Sequence, residues 1–252
     1  MTLNAYDADR VRSLPLLKKV SDSCLPILVK SASLRHCPPR STLLFREGDQ
    51  ANALYTLIRG SVELFSESHD RRLTIAIIRS SNPFMVTSLA DDLNLMSAQT
   101  LGSSELLAVP LNVIHALVDT DPAFACAMVR ELARDLRTTV EQFKNDRLRN
   151  STERVAEWLL RSESEAGGTG NFVIPFAKGV LASHLGMTPE SLSRNLASLA
   201  PLGVSVQGRH VSLIDRTALA QFARLDASSS VKQSAFLSGR SEPRANEVLE
   251  SA

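Results

Sequence analysis

The sequence lacks any apolar run long enough to cross a bilayer. Its longest, such as Leu106 to Leu111, fall far short of the roughly 20 residues a membrane helix needs. No membrane span is expected. Nor is there an early apolar stretch followed by a small-residue cleavage site; Asp7 and Asp9 stand there instead, and the expected location is the cytoplasm. Cysteine is scarce. Cys24, Cys37 and Cys126 are odd in number and widely spaced, which excludes a disulfide framework and a C-x-x-C metal knuckle and points to reduced thiols. No metal site is assigned. Charge of one sign is missing too: a formal net charge of +1 gives no sign of a basic nucleic-acid tract or an acidic tail. The chain also lacks a nucleophile elbow, a phosphate loop and a zinc motif, so the scattered Ser, His and Cys do not suggest an enzyme.

At 252 residues, 44% hydrophobic and 22% charged, the chain has room for two modest domains. Residues 1 to 40 read as a helical lead-in, with Leu14, Leu16, Leu17 and Val20 clustered before Pro26. From Thr42 to Pro110 short apolar runs alternate with turn residues: 42–45, 54–58, 62–65, 73–78 and 105–109. Such spacing predicts an antiparallel barrel or sandwich. Gly48 and Gly60 fall between runs, where a turn needs positive φ.

Asp121-Pro122 supplies an N-cap followed by proline at the first helical position, and a long helix is expected over 121–148. Val129, Leu132, Leu136, Thr139 and Phe143 recur at spacings of 3 and 4 among charged residues. That seam fits either an amphipathic helix packed on its own barrel or a parallel dimer helix. Asn150 to Glu153 form a polar break with capping chemistry, and a new domain is expected over 149–226. Ala166 to Gly170 read as a flexible loop and 227–252 as a disordered tail.

Leu181 and Leu185, then Gly186 to Pro189, then Leu192, Leu196 and Leu199 read as helix, tight turn, helix. Thr188 suits the cap, Pro189 and Glu190 the first turn. With the leucines inward, Glu190, Ser191, Ser193, Arg194 and Asn195 are directed outward, a face suited to base edges in the major groove. Val204 to Val206 and His210 to Ile214 flank Gln207-Gly208-Arg209, predicting a hairpin wing with Arg209 near phosphate. Between Ser151 and Asp226 seven basic and seven acidic residues cancel, which excludes a continuous basic groove but leaves a dimer with few phosphate contacts per half-site. The expected fold class is α+β. An effector-binding module whose C-terminal domain makes protein contacts is the other open reading.

Residues 14 to 225 resemble the CRP/FNR superfamily of transcription regulators. The resemblance is carried by Phe45-Arg-Glu-Gly-Asp49, by 54–65 (LYTLIRGSVELF), by the long helix, and by 181–194 (LASHLGMTPESLSR) with its wing. It implies a cyclic-nucleotide-binding-like β-roll sensor over 14–120, a dimerisation helix, a winged helix-turn-helix, a homodimer on promoter DNA, and contact with RNA polymerase, as in an activator. Glu190, Ser193 and Arg194 match a Glu-x-x-Ser-Arg pattern that implies TTGAT or TTGAC half-sites. Where cyclic-AMP-binding members carry Gly-Glu and Arg-Ser pairs, this chain has Val86-Thr87 and Met96-Ser97, so a cyclic phosphate would lack its charged partner. Three scattered cysteines likewise disfavour a four-cysteine iron-sulfur cluster. The remaining similarity, in Ile174-Pro175, Met187 to Glu190 and Ile214 to Arg216, is to regulators of nitrate respiration and of nitrite or nitric-oxide reduction. It implies control by nitrogen oxides or low oxygen and leaves room for haem, with His36, His69 and His115 as candidate axial ligands and His184 as a structural residue.

Overall fold

The computed structural model describes residues 24–69, 71–79, 83–84 and 86–223, together with Leu14 and Ser21. The expected tail over 227–252 and most of the early lead-in lie outside the described residues. By packing, the chain divides into two compact units. Among the described residues, one holds those up to Asn150 together with Ile174–Ser193; the other holds Ser151–Val173 and 194–223.

The first unit is built on two four-stranded antiparallel sheets. β1 (Ser33–Cys37), β8 (Ser104–Pro110), β3 (Ala53–Arg59) and β6 (Pro83–Phe84) form one in that order; β2 (Leu43–Phe45), β7 (Ser97–Thr100), β4 (Val62–Ser68) and β5 (Arg71–Ile78) form the other. Alternation sets the register. Tyr55 pairs with Ala108 and Leu57 with Leu106, while Leu64 pairs with both Ala76 and Ala98, so one face of each sheet supplies a core of Tyr55, Leu57, Val62, Leu64, Phe84, Ala98 and Leu106. Cys37 joins that core, where burial pushes its thiol above the usual range.

Glu63 lies between core residues in sequence and points the other way on β4, yet it is 1% exposed. Its carboxylate accepts from Arg72 Nη2 and Gln99 Nε2, each at 2.8 Å, and from Thr74 Oγ1 at 2.6 Å, which satisfies the buried charge across three strands.

A second apolar cluster joins the roll to its helices. α1 (Cys24–Ser31), α2 (Leu111–Thr120) and α3 (Pro122–Leu148) contribute Leu28, Ile114, Leu117, Phe124, Ala127 and Met128 against Leu54, Leu107 and Val109. Phe124 is wholly buried, a contribution of about 1.5–3 kcal/mol. Asp121 caps α3 as expected: one carboxylate oxygen accepts from Ala123 N at 2.8 Å and Phe124 N at 3.0 Å. The other accepts from Cys24 Sγ at 2.6 Å and from Ser21 Oγ. Hydrogen bonds from Cys24 first, then Ser21 and Phe124 N, hold this carboxyl well below the usual range, to about 2.

One sequence expectation needs correction. Residues 33–37 were expected within a helical lead-in, but they form β1, paired with β8 from Ser33↔Ala108 to Cys37↔Ser104. The SLRHC segment has no clean alternation, and its strand form depends on the open edge of β8. Residues 166–170 form a loop, as expected, and Glu163 holds its far end: the buried carboxylate accepts from Gly170 N at 2.8 Å and the carbonyl from Gly168 N at 3.0 Å.

The second unit is framed by α4 (Ser151–Glu165), whose Val155, Ala156, Leu159 and Leu160 are buried. Near its C-terminal end Glu163 also accepts from Arg216 Nε at 3.2 Å, at the first residue of α7 (Arg216–Phe222). A three-stranded sheet follows the order β10 (Val204–Gln207), β11 (His210–Leu213), β9 (Asn171–Val173), and Trp158 packs on Phe172 at 6.3 Å between ring centroids.

Candidate nucleic-acid interface

α5 (Lys178–His184) leads by a tight turn into α6 (Pro189–Ser198). Gly186 takes φ +64° at the turn, a region open to glycine, and Met187 N donates back to Ala182 O at 2.9 Å. Thr188 restarts the helix: its hydroxyl oxygen accepts from Ser191 N at 3.2 Å, supplying the cap, while Pro189 occupies the position whose N–H would be orphaned.

The periodicity of α6 separates two faces. Leu192 and Leu199 are fully buried and Leu196 nearly so. Thr188, Pro189, Glu190, Ser193 and Arg194 are exposed, with Ser191 and Asn195 half-buried at the margin. Ser193 Oγ donates to Pro189 O at 3.0 Å, which holds the hydroxyl against the helix with lone pairs outward. A carboxylate, a hydroxyl and a guanidinium thus share one solvent-facing surface at the start of a helix, the arrangement that can present acceptors and a bidentate donor to base edges.

In the second unit, the wing is a hairpin whose last pair is Gln207↔His210, leaving Gly208 and Arg209 as a two-residue loop. Gly208 has φ +61°, which a turn matching the strand twist requires at its first central position. Arg209 is exposed at the tip. At the N-terminal end of α4, Thr152 Oγ1 donates to Asn195 Oδ1 at 3.1 Å, a tie to α6 that no sequence motif signals.

The proposed seam lies on α3. Val129, Leu136 and Phe143 are 64%, 65% and 61% exposed, with Leu132 and Thr139 also open to solvent. Sequence reading missed Val140, which is exposed too. At 100° per residue, Val129, Leu136, Val140 and Phe143 fall within an arc of about 60°, while Leu132 and Thr139 both lie beyond its Phe143 edge. The buried Phe124, Ala127, Met128 and Glu131 occupy the far side of the helix.

The expected effector residues are dispersed. Val86 belongs to the helix-facing cluster, Met96 packs against the core between the sheets, Thr87 is exposed, and Ser97 Oγ accepts from Glu47 N at 2.9 Å. Of the candidate haem ligands, His36 is exposed with Nδ1 3.9 Å from Glu105, His69 is exposed beside Ser68, and His115 Nε2 lies 2.9 Å from Asp92. Cys24 and Cys37 are buried at separate places and Cys126 is exposed on α3. Among the described residues no group of three His, Cys, Asp or Glu could hold a metal ion, and no helix is long and apolar enough to cross a membrane.

Comparison with known proteins agrees with these two halves. Residues 153–222 match the Crp-like helix-turn-helix domain, and residues 36–121 match the cyclic nucleotide-binding domain. The anaerobic regulatory protein of Pasteurella multocida is 23% identical over 219 residues, 81% of this chain and 80% of that protein. A CRP-like cAMP-activated global transcriptional regulator of Mycobacterium tuberculosis is 26% identical over 193 residues, 74% of this chain and 86% of that protein. The structure of FixK2 from Bradyrhizobium japonicum superposes with a TM-score of 0.69 at 21% identity, covering 75% of this chain and 96% of that one.

Proposed function

Because this chain belongs to the CRP/FNR family of DNA-binding transcription regulators, we propose that it acts as a homodimer on an inverted pair of TTGAT- or TTGAC-type half-sites, with RNA polymerase as its downstream partner, and answers to low oxygen or nitrogen oxides. The family is not one of enzymes, and the scattered Ser, His and Cys need no catalytic role. The observation that carries the half-site reading is the exposed face of α6, where Glu190, Ser193 and Arg194 stand clear of the buried leucines. Arg194 supplies the bidentate donor to a guanine edge, Glu190 accepts from a cytosine amino group, and Arg209 on the wing meets phosphate. Pairing through Val129, Leu136, Val140 and Phe143 would place two such faces on one duplex.

The name of the Pasteurella relative supports an oxygen-linked signal. Residues that would balance a cyclic phosphate are absent at Val86-Thr87 and Met96-Ser97, and the three cysteines do not gather as a cluster would require. Haem remains the candidate cofactor of this reading, although His36, His69 and His115 all reach the surface rather than an apolar pocket that would enclose a porphyrin.

The test is a titration of duplexes carrying inverted TTGAT half-sites, performed in air, without oxygen, and with nitric oxide. Affinity is expected to fall steeply with salt and to change with the gas. Arg194→Ala is expected to weaken binding by about tenfold to a hundredfold and to relax sequence preference, since one bidentate contact carries about 1–3 kcal/mol of discrimination. Affinity indifferent to both sequence and Arg194 would sink the half-site reading, and affinity indifferent to the gas would remove the signal.

A further inference from the structure

The recognition helix needs a fixed bearing as well as the right side chains, because two copies must meet half-sites about one helical turn apart. Within the second unit, α4 carries polar ties near both of its ends. Near its C-terminal end, buried Glu163 holds the loop before β9 through Gly170 N and the start of α7 through Arg216. Near its N-terminal end, Thr152 Oγ1 donates to Asn195 Oδ1 on α6. Both partners are half-buried, so the bond is only partly open to competing water. Thr152 is the second residue of α4, and along the chain only Arg149 and Asn150 separate α4 from the end of α3.

We propose that Thr152 and Asn195 are positioning residues for paired recognition: their hydrogen bond fixes the bearing of α6 on the first turn of α4, and so the spacing at which a dimer reads its two half-sites. The proposal rests on the dimeric reading above. Asn195 sits one residue after Arg194 on α6, at the margin between the buried leucines and the exposed face. A rotation there swings Arg194 while leaving its chemistry intact. One half-site tolerates that swing because the protein can reseat as a rigid body. Two half-sites on one duplex do not, because reseating one helix displaces the other.

The experiment compares Thr152→Val, which keeps the shape and removes the hydroxyl, with Thr152→Ser, which keeps the hydroxyl. Thr152 lies off the exposed face of α6, so neither change alters a proposed base contact. The probes are duplexes with two inverted TTGAT half-sites, in a spacing series around one helical turn, and a duplex with one half-site scrambled. Thr152→Val is expected to weaken binding at the preferred spacing about fivefold to tenfold, the scale of one lost hydrogen bond. It is also expected to flatten the spacing preference and to leave single-half-site binding within about twofold of wild type. Thr152→Ser is expected to restore both the affinity and the spacing preference.

Equal losses on one and two half-sites would overturn the proposal in favour of a merely structural bond. Unchanged affinity at every spacing would overturn it as well. A wild-type protein that gains nothing from the second half-site would overturn the dimeric reading itself and this role with it, a result distinct from either of the others.

Discussion

Gly60 sits between β3 and β4 with φ +103°, and a Cβ placed there would lie 2.3 Å from Ser104 Oγ and 2.7 Å from Ser103 O. Glycine is therefore required twice over, by the backbone conformation and by the close approach of the turn before β8. Gly48 has a comparable φ of +79° but open space where a Cβ would go. Gly60→Ala is expected to lower stability by about 2–4 kcal/mol, and Gly48→Ala only by the roughly 1 kcal/mol of the left-handed conformation. Guanidinium denaturation of the two variants measures the difference. Equal shifts in midpoint would show that the contact with Ser103 and Ser104 relaxes without cost. Both turns were legible from sequence as glycines between apolar runs, but the contact with 103–104 was not, because it joins segments more than 40 residues apart.

At the scale of elements, α3 begins where Asp121-Pro122 predicts, because cap and proline act within one turn. Its cap also fastens the start of α1 through Cys24, and Ser21 ahead of that helix, which local chemistry could not reveal. The carboxyl pKa of about 2 lies below the ordinary 3.8, so the stabilising effect is fully present above pH 4 and is lost as pH falls from about 4 to 2. Asp121→Asn is expected to lower the thermal midpoint by a few degrees at pH 7, with the gap to wild type closing as pH approaches 2. Midpoints at pH 7, 4 and 2.5 provide the check, and a gap independent of pH would assign the loss to shape rather than charge. Legibility followed the range of the forces. The helix-turn-helix leucines, the wing and strands β2 to β5 were readable from period and turn residues. β1, with its irregular SLRHC, and β7, whose SAQT has no apolar alternation, were not, since each is a strand only because its neighbours offer a hydrogen-bonding edge. The Thr152 and Asn195 pair was invisible for the same reason: two common polar residues 43 positions apart carry no pattern.

For the whole molecule, the question is what covers the outer face of α3. Val129, Leu136, Val140 and Phe143 leave a narrow apolar stripe in water, on a helix whose other face is already satisfied by Phe124, Ala127 and Met128. A helix that needed only its own β-roll would carry one apolar face, so the second asks for a partner, and its spacing of 7, 4 and 3 suits an identical helix running parallel. The seam read from sequence contained Thr139 where the exposed stripe contains Val140; the two lie beyond opposite edges of the line through Val129, Leu136 and Phe143, and spacings of 3 and 4 alternate across that line, so period alone does not choose between them. Burying one such side chain contributes about 1.5–3 kcal/mol, and in a symmetric pair each substitution acts twice. Leu136→Glu with Val140→Glu is therefore expected to raise the dimer dissociation constant at least about a hundredfold and to abolish the advantage of two half-sites over one, while a single half-site is still bound. Sedimentation velocity across a concentration series, run beside the half-site titration, tests both parts. A variant that stays dimeric would move the interface off this stripe. One that becomes monomeric yet keeps its two-site advantage would separate pairing on DNA from pairing through α3.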